Sequence, residues 1–333
     1  MKSIQQFNRW KKQVISHSKP VLKKSIWQLI NSILPFILLW SLAYMSLSVS
    51  VWLALAFIIP ASGFLVRIFI IFHDCCHQAF FKGKKANEVV GTITGIITFF
   101  PFGQWKNEHS VHHATSGNLS RRGTGDIWTL TVKEYAGLPF WKRLGYRLYR
   151  NPLILFGLGP VFLFLFEYRW NRKGAKRKER LNTYFTNIMI VGLMAVLGWL
   201  LGWKEVLLIQ GTILYLAGVA GIWLFYVQHQ FEDTYFEYED EWEYVRAAVQ
   251  GSSFYKLPKW LQWITGNIGY HHIHHLVPQA PNYFLERIHE SNDLLKNVPA
   301  IGFRLSLQSL RYRLWDEDNK RFVGLRYYQE EPS

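Results

Sequence analysis

Eight of the twelve histidines in this chain have HxxxH or HxxHH spacing within three short clusters. The clusters are HDCCH, with His73 and His77; HSVHH, with His109, His112 and His113; and HHIHH, with His271, His274 and His275. Imidazoles at i and i+4, or at i, i+3 and i+4, project from one face of a helix, so each cluster can direct its ring nitrogens at one point. A given HxxHH pattern is expected by chance in only about one such chain in a hundred. The two copies in this chain therefore indicate a metal site.

The number of histidines indicates more than one ion. Histidine-rich sites without a matching set of cysteines or carboxylates suit zinc, copper, iron or nickel. Structural zinc takes four ligands and catalytic zinc three, so eight histidines on one face exceed the needs of a single ion. His229, at the end of an apolar segment in FYVQHQF, would make nine. Two ions with four or five imidazoles each, plus an open position, explain this number most simply. The alternative for His229 is an interfacial histidine that binds no metal.

Other polar residues near the clusters have weaker assignments. His272 follows His271 directly and should point away from it on a helix, so we expect it outside the metal site. His17 and His289 stand alone in the sequence and need no functional account. Four carboxylates adjoin candidate ligands and could orient imidazoles through the second ring nitrogen, or could be solvated charges: Asp74, Glu108, Glu232 and Asp233.

The clusters must be positioned by a chain embedded in a membrane. Of its 333 residues, 50% are hydrophobic and 18% charged, against about a quarter charged in soluble domains. Segments 27–49 and 51–72 have a single charge between them, at Arg67, and each is long enough to cross about 30 Å of hydrocarbon. The first 24 residues are polar and basic, unlike a cleavable signal peptide. We predict an all-α polytopic membrane protein with one domain, residues 1–333.

The distribution of positive charge predicts the topology. The net charge is +15, and Lys and Arg are concentrated in residues 9–24, 141–150 and 169–180. Basic loops stay on the cytoplasmic side; a docking face for anionic headgroups or an acidic protein is a further option. Transmembrane helices are then predicted at residues 26–44, 51–72, 184–201 and 206–227, with re-entrant or interfacial segments at 89–102 and 152–166. This topology places the histidine clusters, both termini and a helical cap at 278–333 on the cytoplasmic face of the cell membrane.

The contexts of the clusters resemble the three histidine boxes of the membrane fatty acid desaturase family. The segments concerned are RIFIIFHDCCHQAFF, HHATSGNL, RGTGDIW, FYVQHQFEDTYF and GNIGYHHIHHLVPQAPNY. These segments resemble the bacterial acyl-lipid desaturases, and nearly the whole chain is similar to the Δ5 acyl-lipid desaturases of bacilli. The boxes are specific for the superfamily, whereas the Δ5 assignment rests on overall similarity.

The resemblance implies a non-haem di-iron centre with the eight box histidines as ligands. Stearoyl-CoA desaturase relatives have a ninth histidine at the end of their fourth span, the position of His229 here. In those relatives an asparagine one turn earlier holds a metal-bound water, but this chain has Phe225 there. Asn267, one turn before His271, could replace that asparagine, although GNIG is equally well a turn.

The implied reaction is O2-dependent formation of a cis double bond in the acyl chains of membrane phospholipids. An unactivated methylene has no acidic proton and no electrophilic carbon, so a cofactor must supply the chemistry. We expect aromatic residues of the spans and of segment 98–102 to line a tunnel for the acyl chain. The sequence has no HPGG segment, no cysteine set for an iron-sulfur cluster and no GxGxxG. A separate acidic ferredoxin or flavodoxin, attracted to the positive face, should therefore supply electrons.

Two other functions have to be weighed against desaturation. A di-iron membrane hydroxylase or ketolase acting on alkanes or carotenoids uses similar boxes, and only the contexts of the boxes favour desaturation. A metal transporter or sensor would need ionisable residues within the spans, where this chain has little besides Arg67. An intramembrane metalloprotease is excluded because no HxxxH in the three clusters contains the glutamate of HExxH, and no nucleic-acid motif accompanies the positive charge.

Overall fold

The computed structural model of the chain describes residues 14–15 and 18–327, apart from the side chain of residue 294. Parts of the sequence analysis concern residues outside this range: residues 9–13 of the first basic segment, His17, and the end of the predicted cap, residues 328–333.

Helices make up most of the described chain, as predicted. In chain order they are α1 (Leu22–Ser46), α2 (Val51–Cys76), α3 (Lys84–Thr98), α4 (Phe102–Thr115), α5 (Val132–Gly137), α6 (Phe140–Tyr149), α7 (Pro152–Gly157), α8 (Gly159–Leu165), α9 (Arg177–Leu201), α10 (Trp203–His229), α11 (Tyr244–Gln250), α12 (Lys259–Ile264), α13 (His271–Leu276), α14 (Leu285–Glu290), α15 (Asp293–Lys296) and α16 (Phe303–Gln308). Short 3-10 turns cover Glu167–Arg169, Asn282–Phe284 and Ser309–Arg311.

Within the described residues, five segments are long and apolar enough to cross a membrane. Four of them are α1, α2, α9 and α10, which contain the four predicted spans. The fifth is Pro152–Arg169, which combines α7, α8 and a 3-10 turn and was predicted to be interfacial. Length and composition therefore allow five crossings where the loop charges predicted four. The 15-residue α3, which covers most of the other predicted interfacial segment, is not among the five.

Short strands are the part of the fold that the all-α prediction missed. They are β1 (Leu130–Thr131), β2 (Phe254–Tyr255), β3 (Ala300–Ile301), β4 (Leu314–Asp316) and β5 (Arg321–Val323). β4 pairs in parallel with β1 and antiparallel with β5, and β2 pairs in parallel with β3. The predicted cap is therefore not wholly helical. Strands of two or three residues are too short for an alternating apolar pattern, so sequence periodicity cannot reveal them.

Helix α2 is the central element that positions the metal centre. Ile68, Ile71, Phe72 and Cys75 lie at i, i+3, i+4 and i+7 and are fully buried. This spacing forms one continuous apolar face, which packs against α1, α3 and α10 in the main hydrophobic core. The close packing holds the end of α2, where the first histidine cluster lies, in a defined orientation.

The outer faces of the long helices expose large apolar side chains. Examples are Trp27 and Leu34 on α1, Trp52 on α2, and Ile188 and Trp199 on α9, each at least 60% exposed. Apolar surface of this extent is expected for helices that lie in hydrocarbon rather than water. The fold thus supports the prediction of a membrane protein.

Candidate metal centre

The nine histidines predicted as ligands lie together in two groups. The first group contains His73, His77, His109, His113 and His274. The second contains His112, His229, His271 and His275. Within each group the nearest ligand nitrogens all lie within 4.8 Å of one another. The structure thus brings together residues from four separate parts of the chain.

Each histidine cluster lies at or near the end of a helix. The first cluster spans the last turn of α2 and its C-terminal cap residue, His77. The second occupies the end of α4, and the third lies on the six-residue helix α13. His229 is the last residue of α10. Four helices converge here, so each of these imidazoles comes from a helix or its cap residue and none from a long loop.

The spacing within the clusters explains how two groups arise from three clusters. The i, i+4 pairs each stay within one group: His73 with His77, His109 with His113, and His271 with His275. The i+3 members, His112 and His274, each join the opposite group. At 3.6 residues per turn, i+4 lies about 40° to one side of residue i and i+3 about 60° to the other. One helix end can therefore supply imidazoles to both of the adjacent histidine groups.

The distances between Nε2 atoms fit ligands that share an ion. In the first group, Nε2 of His109 lies 3.0 Å from that of His73 and 3.1 Å from that of His113. In the second group, Nε2 of His271 lies 2.9 Å from that of His229 and 3.1 Å from that of His275. Two nitrogens bound at right angles to one ion by bonds of about 2.1 Å would be about 3.0 Å apart.

His77 supplies a second observation that fits a metal. Its Nε2 is buried and has no hydrogen-bond partner within the described part of the chain. A buried polar atom without a partner costs free energy. A metal ion in the first group would give this nitrogen a partner.

Five of the histidines are also in the protonation state that metals require. Burial, reinforced by the neighbouring imidazoles, holds the pKa values of five of them well below the ordinary 6.5: His109, His113, His271, His274 and His275. These rings are therefore neutral at pH 7. A neutral imidazole has a free lone pair, so no proton has to be displaced before a metal binds.

The lowered pKa values predict how the metal-free protein responds to acid. The unfolded chain takes up protons on these histidines below about pH 6.5, whereas the folded state does not. Because the unfolded state then binds more protons, the free energy of unfolding should fall by up to about 1.4 kcal/mol per histidine for each pH unit below 6.5. The thermal midpoint of chelator-treated protein, measured from pH 8 to pH 5, should decrease in this window. A His271→Phe variant should decline less steeply, and a midpoint independent of pH would contradict the prediction.

Three of the imidazoles are held through the second ring nitrogen. Nδ1 of His229 donates to the backbone carbonyl of Gly251 at 3.0 Å, and Nδ1 of His73 lies 3.3 Å from Oδ1 of Asp74. Nδ1 of His112 contacts Oδ1 of Asp126. Acceptors at Nδ1 place the proton there and leave the Nε2 lone pair directed at the metal.

Asp126 is a candidate functional residue that the sequence analysis did not single out. It lies 14 residues after His112, in the segment RGTGDIW. The preceding Gly125 has φ +71°, and a Cβ there would lie 3.0 Å from the carbonyl oxygen of Glu108 and 3.1 Å from Cβ of His112. The glycine therefore allows the loop to approach α4 closely, which brings the carboxylate to the ring.

The four carboxylates predicted as orienting groups differ in their contacts. Asp74 does contact a histidine, and its Oδ2 also accepts from the backbone nitrogen of Asn282 at 2.7 Å. Glu108 instead accepts from Gln104 at 3.1 Å. Glu232 and Asp233 are exposed, as expected of solvated charges. Asp74 is thus the one of the four that can orient a ligand.

Aromatic rings form the apolar walls of the two groups. Phe225 lies with its ring centroid 5.2 Å from that of His229 and 5.1 Å from that of His112. A phenyl ring cannot hold a water by a hydrogen bond. Phe225 therefore cannot replace an asparagine that holds a metal-bound water at this position. Beside the first group, Trp105 stacks on His109 at 4.2 Å. Phe100, from the segment predicted to line a tunnel, lies 6.1 Å from Phe72.

The two other histidines within the described residues form a separate pair. His272 lies outside both groups, as predicted, but His289 does not stand alone. Nε2 of His272 lies 3.1 Å from Nδ1 of His289, and both rings are buried. Asn267 has a left-handed φ of 57° and donates to the carbonyl of Asn282 at 3.3 Å. These features support the turn rather than a metal-bound water at Asn267.

Arg150 is a buried cation in a basic segment, residues 141–150, that the sequence analysis used as a topology signal. It is 1% exposed, and its guanidinium donates to Gln230 at 2.7 Å, to Thr129 at 3.1 Å and to the backbone carbonyl of Tyr312 at 3.0 Å. Gln230 directly follows His229. Arg150 thus ties the end of α10 to the loop after Asp126 and to the C-terminal segment.

Comparisons with known proteins give consistent results. The family model "Fatty acid desaturase" matches residues 9–303, which include all nine histidines. The chain is 59% identical over 321 residues to a fatty acid desaturase of Bacillus subtilis (strain 168), covering 96% of this chain and 91% of that protein. It is 28% identical over 324 residues to an endoplasmic reticulum omega-3 fatty acid desaturase of Vigna radiata var. radiata, covering 88% and 80%. It is 26% identical over 263 residues to an sn-1 acyl-lipid omega-3 desaturase (ferredoxin) of Nostoc sp. (strain 36), covering 75% and 69%.

Proposed function

This chain belongs to the fatty acid desaturase family and is an oxidoreductase, and from this premise we propose that it inserts a cis double bond into the acyl chains of membrane phospholipids, at the Δ5 position, using O2. The reaction takes place at a non-haem di-iron centre. The observation that carries the proposal is the meeting of nine histidines in two groups. The chain acts as a single domain in the cell membrane, with the centre and both termini on the cytoplasmic side.

Different residues would hold the two metal ions. The five histidines of the first group would bind one iron, and the four of the second group the other. When bound, the two ions would supply the oxidising power, drawn from O2 and external electrons, that an unactivated methylene requires. Asp74, Asp126 and the carbonyl of Gly251 keep the ligand rings in the tautomer that directs Nε2 inward.

The surroundings of the centre position the substrate and exclude water. Trp105 and Phe225 cover the two groups with apolar rings. The aromatic cluster around Phe72 and Phe100 adjoins the first group and would line the path of the acyl chain. The fixed position of the acyl chain in this path would then set the distance from the lipid headgroup to the oxidised carbon.

Electrons come from a separate protein, a ferredoxin or a flavodoxin. The name of the Nostoc relative specifies ferredoxin for that protein. The net charge of +15 on this chain would favour encounter with an acidic donor. Reduction of O2 to two water molecules takes four electrons. The substrate gives two of them when the double bond forms, and the donor supplies the other two.

Expression in a host that makes only saturated lipids tests the proposal. Cells with the wild-type chain and a competent donor should acquire monounsaturated phospholipid chains in air and none without air. A His109→Ala variant should leave the lipids saturated, because it removes one nitrogen of the first group. Gas chromatography with mass spectrometry of the fatty acids gives the yield and the double-bond position.

Different products would contradict specific parts of the proposal. Hydroxylated chains would indicate a hydroxylase with the same centre. A double bond elsewhere than at carbon 5 would refute the Δ5 assignment and leave desaturation intact. Unchanged lipids from a protein with bound iron and a working donor would refute acyl-lipid desaturation itself.

A further inference from the structure

A cavity lined by arginines lies outside the metal centre, between α6 and the C-terminal segment. Its volume is about 730 Å³. Its lining residues are Arg147, Arg311, Arg313, Gly324, Leu325 and Arg326. Four guanidinium groups therefore face one cavity whose lining, within the described residues, includes no acidic residue. Arg147, Arg311 and Arg326 are exposed and Arg313 is half-buried. Because a guanidinium stays charged at all physiological pH values, the cavity has a positive potential.

Within the described residues these arginines have no carboxylate partner, whereas three other cations in the same part of the molecule do. Lys133 pairs with Asp318 at 2.7 Å, Lys320 with Glu237 at 2.5 Å and Arg121 with Glu239 at 2.8 Å. In contrast, no carboxylate oxygen of residues 14–15 and 18–327 lies within 4.0 Å of the four cavity arginines. Four like charges around one space repel each other, and a bound anion would offset that repulsion.

Two of the arginines are held in place with their terminal nitrogens available. Nε of Arg147 donates to the hydroxyl of Tyr135 at 2.6 Å. Nε of Arg313 lies 3.4 Å from the carbonyl oxygen of Leu310. Within the part of the chain that the structure describes, these contacts use only Nε, so the two terminal nitrogens of each guanidinium remain for a ligand. Paired N–H groups in this fork match the oxygens of a phosphate.

The elements beside the cavity carry exposed apolar residues typical of a membrane interface. On α6, which also supplies Arg147, Phe140 is 64% and Trp141 76% exposed. On α16, just before Arg311, Phe303 is 68% exposed. Helix α6 leads directly into the candidate membrane segment Pro152–Arg169. Aromatic side chains in such positions lie at the level of the lipid headgroups.

We propose that this cavity binds the phosphate group of a membrane phospholipid. Four arginines supply the charge and the hydrogen-bond donors, and the aromatic residues on α6 and α16 would lie among the lipids around it. An acidic protein would also suit the charge, but the apolar flanks would be covered by lipid at the headgroup level. The bound lipid would hold the C-terminal segment against the membrane. This site is independent of the metal centre and does not rest on the proposed reaction.

Titration of the purified full-length protein with a short-chain anionic lipid tests the site. Dioctanoyl phosphatidylglycerol should raise the thermal midpoint of the wild-type protein in a non-ionic detergent. In an Arg311→Gln/Arg326→Gln variant, half-maximal stabilisation should need at least about tenfold more lipid, because two charged hydrogen-bond donors are lost. An Arg304→Gln/Arg321→Gln variant loses the same charge from positions that are likewise exposed but do not line the cavity, and should respond like the wild type.

Further ligands identify the source of any effect. Dioctanoylglycerol, which lacks the phosphate, should stabilise the protein much less, and equal stabilisation would overturn the proposal. Inorganic phosphate that acts at the same concentrations as the lipid would assign the cavity to a free anion and overturn the lipid site. Equal lipid responses of the two double variants would also overturn it. The proposal would also be overturned if the cavity variant lost electron transfer from an acidic ferredoxin but kept its lipid response. The arginines would then bind the electron donor instead of a lipid.

Discussion

Replacing His229 with alanine is expected to reduce double-bond formation by at least about 100-fold. Nε2 of His229 lies 2.9 Å from Nε2 of His271, and the ring is one of four in the second group. Removing it would leave three imidazoles for that ion. Loss of a residue that merely orients a ligand costs about 10–100-fold in metal affinity or activity, so loss of the ligand itself should cost at least the upper value. Fatty acid profiles and the iron content per chain, measured on the purified variant, check this result.

His272→Ala is the matched control for this substitution. His272 is as deeply buried as His229 and adjoins His271 in the sequence, but it lies outside both groups and contacts His289. The variant should keep its iron and most of its activity, with some loss of thermal stability because His289 loses its partner. If the His229→Ala protein retained full iron and activity, its assignment as a ligand would be wrong. Equal inactivation of both variants with unchanged iron content would point to packing instead.

Replacing Asp126 with asparagine is expected to weaken iron binding and activity by about 10–100-fold. The carboxylate contacts Nδ1 of His112, the residue through which α4 reaches the second group. An amide has almost the same shape but lacks the negative charge, so the Nδ1 proton is held less firmly and Nε2 becomes a weaker ligand. Competition with an iron chelator measures the affinity, and product formation at several iron concentrations shows whether added iron restores activity.

Asp318→Asn provides the comparison for Asp126→Asn. Asp318 makes a surface ion pair with Lys133 at 2.7 Å, with both side chains more than 60% exposed. A pair of this kind contributes little stability, and Asp318 is not part of either histidine group. Its variant should therefore resist the chelator as the wild type does. An Asp126→Asn protein that resists the chelator equally well would show that His112 does not depend on this carboxylate.

Local patterns were sufficient to predict the types of residue at the centre and the membrane helices. The HxxxH and HxxHH spacings are properties of one helix face, and the spans need only a run of apolar residues. For this reason the nine histidines and the four long helices, including α2 and α10, could be located without a structure. The family assignment also followed from the local contexts of the boxes and is confirmed by the match over residues 9–303.

Other features could not be predicted because they depend on segments that are remote in sequence. Strand β4 pairs with β1, which lies more than 180 residues earlier, and neither strand has a pattern of its own. The pairing of His272 with His289 required the two short helices α13 and α14 to pack together. Arg150 looks like any other basic residue in its segment, and only its contacts with Gln230 and Tyr312 show that it is buried.

The metal centre shows the same division. The sequence alone predicted nine imidazoles that could bind two ions, because ligand type and helical spacing are local properties. Only the tertiary structure decided that they divide into groups of five and four, with His112 and His274 each joining the opposite group. It also decided that Asp126 lies against His112. The orientation of one helix end relative to another, and the approach of a loop to it, are set by packing across the whole fold, which residue spacing does not encode.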